Sequence, residues 1–254
     1  MKEVIKKPKE NPDYPEWSKY VVGRISQIVE NAIKSGNNRI FIHTNLKLGL
    51  PLENINKVAG PFVEAWALEQ FQGVASEVGN KYELVNVEAG KRLDPFDIIL
   101  QFKRKHDSSE YLSANVDVKA TAEDIVTSGR SPNITSYARI RTEYVDDPDY
   151  IFVILSLKHK VYGEKDTVSG MTNGIMEVVS YSVYDLKYIS KSDISYNPAL
   201  GTGQLQIRDI HYVDIETRTT WDFIRILDAK FIKSKGEAAW AKMAQKHGWV
   251  KVPE

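Results

Sequence analysis

With 254 residues the chain can form one large domain or two small ones, and it is long enough to bury a sizeable core. Its 42% hydrophobic and 27% charged residues are ordinary for a globular protein; it has no apolar run of bilayer length and no secretion signal, so a cytoplasmic protein without membrane partners is expected. Zero cysteines exclude disulfides and thiolate zinc sites, and 34 basic residues balanced by 34 acidic ones argue against a passive nucleic-acid coat. The five histidines, His43, His106, His159, His211 and His247, show no metal-ligand spacing.

In chain order, residues 1–17 carry three prolines and read as an irregular arm. A helix follows over 17–35, where Tyr20, Val21, Ile25, Ile28, Val29 and Ile33 recur at helical spacing and Gly36 stops the run. Residues 39–43 are a short strand, 44–60 a loop or broken helix around Pro51, and 61–78 a helix with Pro61 in its first turn. That helix has an apolar stripe of Phe62, Trp66, Ala67, Phe71 and Val74, with Glu64 and Glu69 on its flanks. A hairpin spans 97–119, a polar loop 121–133, and a helix with Arg139 and Arg141 covers 134–143. The β-branched run at 150–157 suits a central buried strand. A long strand or strand pair at 175–189, a glycine-rich loop at 197–203, a strand at 204–213, a helix at 219–233 and a basic helical tail complete the chain. This order predicts one α/β domain over 1–254, a mixed sheet flanked by helices.

The hairpin concentrates the chemistry. Leu112, Ala114, Val116 and Val118 alternate with Ser113, Asn115, Asp117 and Lys119, the pattern of a half-buried strand. Asp97 opens the strand before it. Two converging carboxylates suit a hard cation such as magnesium, and a neighbouring lysine can hold a phosphate oxygen or a water. An Asp-x-Lys triplet alone is a weak signal, and the chain has two more. Asp185-Leu-Lys187 reads as a cross-strand ion pair or a DNA-facing edge, and Asp228-Ala-Lys230 as a solvated helix face. Only Asp117-Val-Lys119 has a partner aspartate opening an apolar strand upstream. Gly201-Thr-Gly203 is neither a P-loop nor a dinucleotide fingerprint.

Asp97 followed by Asp117-x-Lys119 resembles the PD-(D/E)-x-K signature of type II restriction endonucleases, with Phe96 where proline often stands. Three further stretches are similar to the EcoRV/HincII-like branch. They are Ser131-Pro-Asn133-Ile after the catalytic strand, Asn197-Pro-Ala-Leu-Gly-Thr-Gly-Gln204-Leu-Gln206-Ile, and Thr217-Arg218-Thr-Thr-Trp221. The segments beginning at Asn45, Asn115 and Ser195 most resemble its HpaI-like members, and the likeness runs from about residue 39 to 235.

The resemblance implies a restriction-endonuclease-like core with catalytic residues within 61–160 and a DNA-recognition region at 190–218. It implies that Asp97 and Asp117 bind magnesium with the Val118 carbonyl as a further oxygen ligand, and that Lys119 orients the attacking water. Glu64 would assist the metal, with Glu69 as the runner-up; a solvated helix flank is the bland reading of both. Manganese is expected to substitute for magnesium, and calcium to permit binding without cleavage. Ser131, Asn133, Asn197, Ala199, Gly201, Thr202, Gly203, Gln204 and Gln206 would face the DNA. Asparagine and glutamine suit adenine, and glycines let backbone approach a base pair. Arg139, Arg141 and Arg218 are candidates for phosphate contacts. A homodimer on double-stranded DNA, a palindrome such as GTTAAC cut to blunt ends, and a cognate methyltransferase protecting host DNA also follow from the resemblance. The rival readings are a structure-selective or repair nuclease on the same fold, a non-catalytic DNA-binding protein, and an enzyme acting on a small phosphate ester.

Overall fold

The computed structural model describes residues 4–91, 93–104, 110–199 and 203–251. In chain order its elements are β1 (Val4–Ile5), α1 (Tyr14–Lys34), β2 (Arg39–Ile42), α2 (Leu52–Lys57), α3 (Ala59–Ser76), β3 (Leu84–Ala89), β4 (Ile98–Lys103), β5 (Tyr111–Ala122), β6 (Asn133–Ser136), α4 (Tyr137–Asp146), β7 (Ile151–Lys165), β8 (Thr172–Asp185), β9 (Ile194–Asn197), β10 (Gln204–Ile207), α5 (Thr220–Lys235), α6 (Glu237–Lys246) and β11 (Val250–Lys251).

Ile151 to Leu155 are buried on both faces, so β7 needs a sheet neighbour on each side and cover above and below. It pairs with β5 in parallel and with β8 in antiparallel register. The remaining pairings are antiparallel and give a six-stranded mixed sheet in the order β2-β8-β7-β5-β4-β3. Helix α1 packs on β8 with Val21, Ile25, Ile28 and Val29 inward, each contributing about 1.5–3 kcal/mol by leaving water. Helix α3 packs on β3 and β5 through Val63, Trp66, Ala67 and Phe71. Phe62, expected in that stripe, is instead 39% exposed, because Val63 holds the inward position. A second, three-stranded antiparallel sheet, β6-β10-β9, lies with α4, α5 and α6 against the same core.

Several local expectations change. Residues 134–143 divide into a strand and a helix, because Thr135 and Ser136 pair with β10 before Tyr137 donates its amide to Gly203. The strand expected over 204–213 ends at Ile207, and a single bridge from Asp209 to Arg130 continues the pairing. The arm is partly ordered: β1 pairs with β11, and Glu10 accepts the Thr220 and Trp221 amides at the start of α5. Strand β3 has no counterpart in the sequence reading.

Two of the three Asp-x-Lys triplets are structural. Asp185 is buried, accepts hydrogen bonds from Tyr14, Ser18 and the Lys187 amide, and so is no sheet-edge residue. Lys187 is also buried, its ammonium on Thr220 Oγ1 at 2.8 Å and over the Tyr14 ring at 3.6 Å. Asp228 is not on a solvated face: it receives Tyr137 Oη and the Arg141 guanidinium inside the α4–α5 interface.

Candidate active site and reading strands

Asp97 stands immediately before β4, its amide on the Val116 carbonyl at 2.9 Å and its own carbonyl receiving Gly90 N at 2.7 Å. The approach of residue 90 is close: a Cβ there would lie 2.3 Å from the Phe96 carbonyl oxygen, so only glycine fits. The backbone therefore delivers the Asp97 carboxylate to β5, where its Oδ2 accepts the Val118 amide at 2.7 Å. Two strand positions hold the rest. Lys119 Nζ donates to Asp117 Oδ1 at 2.7 Å, and Asp117 Oδ2 is buried with no hydrogen-bond partner.

Alternation places Asp117 on the polar face of a half-buried strand, yet it is only 4% exposed. Burial is the largest influence on its carboxyl. Lys119 opposes it, the charges of Asp97 and Glu64 reinforce it, and the carboxyl is pushed up to about 7. Glu64 on α3 is likewise raised by burial and by Asp97, with Lys119 pulling the other way. It borders a cleft of about 310 Å³ together with Pro61, Leu68, Gly90, Phe96 and Asp97. Glu69 is exposed on another side of α3 and does not border this cleft. The structure thus brings Glu64, Asp97, Asp117 and Lys119 into one field.

Among the described residues no three His, Asp or Glu side chains by themselves form a cation cage. The chain offers two carboxylates, a third nearby, and an unpartnered buried oxygen. Such a concentration of negative charge in poor solvent is relieved by a cation, so the donor set fits a hard divalent metal. Val118 turns its amide toward Asp97, and alternation along a strand puts its carbonyl on the same side.

The other predicted residues assemble on the smaller sheet. Gln204 pairs with Asn197 and with Ser136, and Gln206 with Ser195 and Asn133. Gln206 Nε2 donates to the Ser131 carbonyl at 2.9 Å and to Asn133 Oδ1 at 3.0 Å, and Ser131 itself takes φ = 50°. Asn197 Oδ1 accepts the exposed Ala199 amide, a turn that closes the strand. Gly203, at φ = 88°, packs on Tyr196: a Cβ would stand 1.9 Å from its hydroxyl oxygen. Gly201 and Thr202 lie outside the described residues.

The arginines depart from expectation. Arg141 is fully buried, with Nε on Asp228 Oδ1 at 2.7 Å, Nη2 on Oδ2 at 3.0 Å, and the Trp249 ring 4.1 Å away. It is a core ion pair and cannot touch phosphate from there. Arg218 is nearly enclosed as well, with one amino group on the Ile189 carbonyl and the other on Glu216, both at 2.6 Å. Its role is to fix the chain entering α5. Arg139 is exposed but reaches the Leu93 carbonyl, in the loop that leads to Asp97. Gly90 and the Ser131 carbonyl were missed by the sequence reading; a glycine between an edge strand and Asp97 was the available cue for the first.

The family model for type II restriction endonuclease HpaI matches residues 1–248. The type II restriction enzyme HpaI of Haemophilus parainfluenzae is 56% identical over 223 residues, which cover 88% of this chain and 87% of that enzyme. A solved NlaIV restriction endonuclease covers 87% of each chain at a TM-score of 0.46 and 14% identity. No described helix is long and apolar enough to cross a membrane. With a family match along nearly its whole length and this identity to a named enzyme, the chain belongs to the HpaI family of type II restriction endonucleases and is a site-specific deoxyribonuclease.

Proposed function

We propose that the chain is a magnesium-dependent endonuclease that acts as a homodimer on a palindromic hexanucleotide, GTTAAC, and leaves blunt ends with 5′-phosphates. One observation supports the chemistry above all: the unpartnered, buried Asp117 Oδ2 faces a field made by Asp97, Glu64 and Lys119. Asp97 and Asp117 would hold the metal, with the Val118 carbonyl beside them and Glu64 assisting. When bound, magnesium supplies charge neutralisation at the phosphate and makes a water acidic enough to attack. Lys119 Nζ, positioned by Asp117, holds the attacking water and offsets the phosphate's negative charge. The water oxygen adds to phosphorus as the bond to the 3′ oxygen breaks, giving a 3′-hydroxyl and a 5′-phosphate. No covalent enzyme intermediate is needed, since the side chains position the reactants and stabilise charge.

A palindrome is read naturally by a two-fold dimer. The residues of the smaller sheet supply the reader, and the hexanucleotide and the blunt cut follow from the resemblance to HpaI-like enzymes. A methyltransferase that protects host DNA in the cytoplasm completes the system. Manganese replaces magnesium in this reading, and calcium supports binding only. The test is digestion of a sequenced phage genome with magnesium, followed by mapping of the ends. Blunt fragments bounded by GTTAAC halves are expected. Cleavage at branches or without sequence preference would make the protein a shape-selective nuclease, and full cleavage in EDTA would end the metal account.

A further inference from the structure

Gln206 Nε2 donates at once to the Ser131 carbonyl and to Asn133 Oδ1. A backbone carbonyl can only accept, so the end of the Gln206 amide that faces it is the nitrogen, and Gln206 Oε1 is turned away. The same contact fixes its neighbour. Asn133 presents its oxygen to Gln206, which turns its own Nδ2 outward. Gln206 and Asn133 are cross-strand partners of β10 and β6, and side chains in that relation share one face of the sheet. Asn133 is exposed and Gln206 half-exposed, and among the described residues neither outward atom has a hydrogen-bond partner. The sheet thus displays one acceptor and one donor side by side, contributed by two residues whose own contact sets their polarity.

Base edges differ in the pattern they offer. In the major groove adenine presents the N6 amino donor beside the N7 acceptor, guanine two acceptors, cytosine a donor and thymine an acceptor. Of the single bases only adenine matches an acceptor next to a donor; guanine would set its O6 against Gln206 Oε1. We propose that Gln206 and Asn133 form one composite adenine reader, Gln206 Oε1 accepting from N6 and Asn133 Nδ2 donating to N7, with the Ser131 carbonyl holding the pair in that polarity. The inference rests on the reading of β6 and β10 as DNA-facing. Gln206 alone cannot make the usual two-point contact of a glutamine with adenine, because both of its amide hydrogens are already engaged.

The experiment replaces each adenine of the mapped cleavage site in turn, in duplexes of defined sequence. One series carries 7-deazaadenine, which lacks the N7 acceptor, and another carries purine, which lacks the N6 amino group. Affinity is measured in calcium for wild type, Asn133→Asp and Gln206→Met; Asn133→Asp keeps the oxygen that holds Gln206 and loses the donor, and its added charge weakens all duplexes alike, so each variant is compared with itself on the unmodified site. At one adenine of each half-site, wild type should lose about tenfold in affinity with either analogue, one hydrogen bond's worth. Asn133→Asp should be indifferent to 7-deazaadenine there, and Gln206→Met indifferent to purine. If both variants remain fully sensitive to both analogues, the composite reader is wrong although sequence-specific cleavage stands. If no variant and no analogue changes affinity because the wild type binds all duplexes alike, the recognition reading itself has failed, and this inference with it.

Discussion

Replacing Asp117 by asparagine should make the metal-free protein more stable at pH 8, by a margin that narrows steadily as pH falls towards 4. Asp117 is 4% exposed, one of its oxygens has no partner, and its carboxyl titrates at about 7 rather than at its ordinary 3.8. Between those two values the folded protein holds a proton that the unfolded chain releases. Stability therefore falls as pH rises through this window, and the full penalty is present above about pH 7. A difference of about three pH units at about 1.36 kcal/mol each puts that penalty on the order of 4 kcal/mol. Asparagine keeps an oxygen for Lys119 and carries no charge to desolvate, so it removes the penalty; the loss of a counter-charge for Lys119 offsets part of the gain. The assay is urea unfolding of both proteins in EDTA from pH 5 to 8.5. The stability difference should open in favour of the variant as pH rises and flatten above pH 7. A difference that is constant with pH, or one that favours the wild type more at high pH, would refute the reasoning.

Glu64→Ala should slow cleavage and raise the magnesium concentration needed for it, while Glu69→Ala should do neither, since Glu64 lines the cleft beside Asp97 and Glu69 does not. Steady-state rates over a magnesium titration check this. Arg141→Ala should cost about 3–5 kcal/mol by stranding buried Asp228, or about 10 °C in Tm for a chain of this size. The salt dependence of DNA binding by the folded variant should not change, whereas loss of a phosphate contact would lower the slope by about one. Gly203→Ala should weaken binding to the cleavage site more than to unrelated DNA, because a Cβ there collides with Tyr196 and displaces the start of β10; equal loss on both duplexes, measured by anisotropy, would contradict it.

The strands that carry Asp97, Asp117 and Lys119 were legible because period-two alternation is a local pattern and β5 and β4 obey it. That Asp117 is buried was not, since α3 packs on β5 from more than 40 residues upstream, an arrangement that no periodicity encodes. Arg141 and Arg218 read as accessible phosphate contacts on the same ground. A basic residue on a predicted helix is usually solvated, and the partner of Arg141 lies 87 residues away. Asp228-Ala-Lys230 was misread for the matching reason. Strand β3 escaped notice because it is an edge strand whose alternation is weak and half exposed. Ser131, Asn133, Gln204 and Gln206 were recognised as a set from their resemblance to known motifs. The hydrogen bonds that join Gln206 to Ser131 and Asn133 span more than 70 residues and required the fold.

The claim that Asp97, Asp117 and Lys119 perform the hydrolysis is tested most directly by single-turnover cleavage of a duplex containing the mapped site. Wild type, Asp97→Ala, Asp117→Ala, Lys119→Ala and Lys187→Ala are compared in magnesium, with binding measured on the same duplex. The first three variants should bind it yet cut about a hundred- to a thousandfold more slowly or less. Lys187→Ala, whose ammonium is buried against Thr220 and Tyr14, should lose stability while its folded fraction still cuts. Cleavage at the wild-type rate by Lys119→Ala, with cleavage abolished in folded Lys187→Ala, would contradict the account.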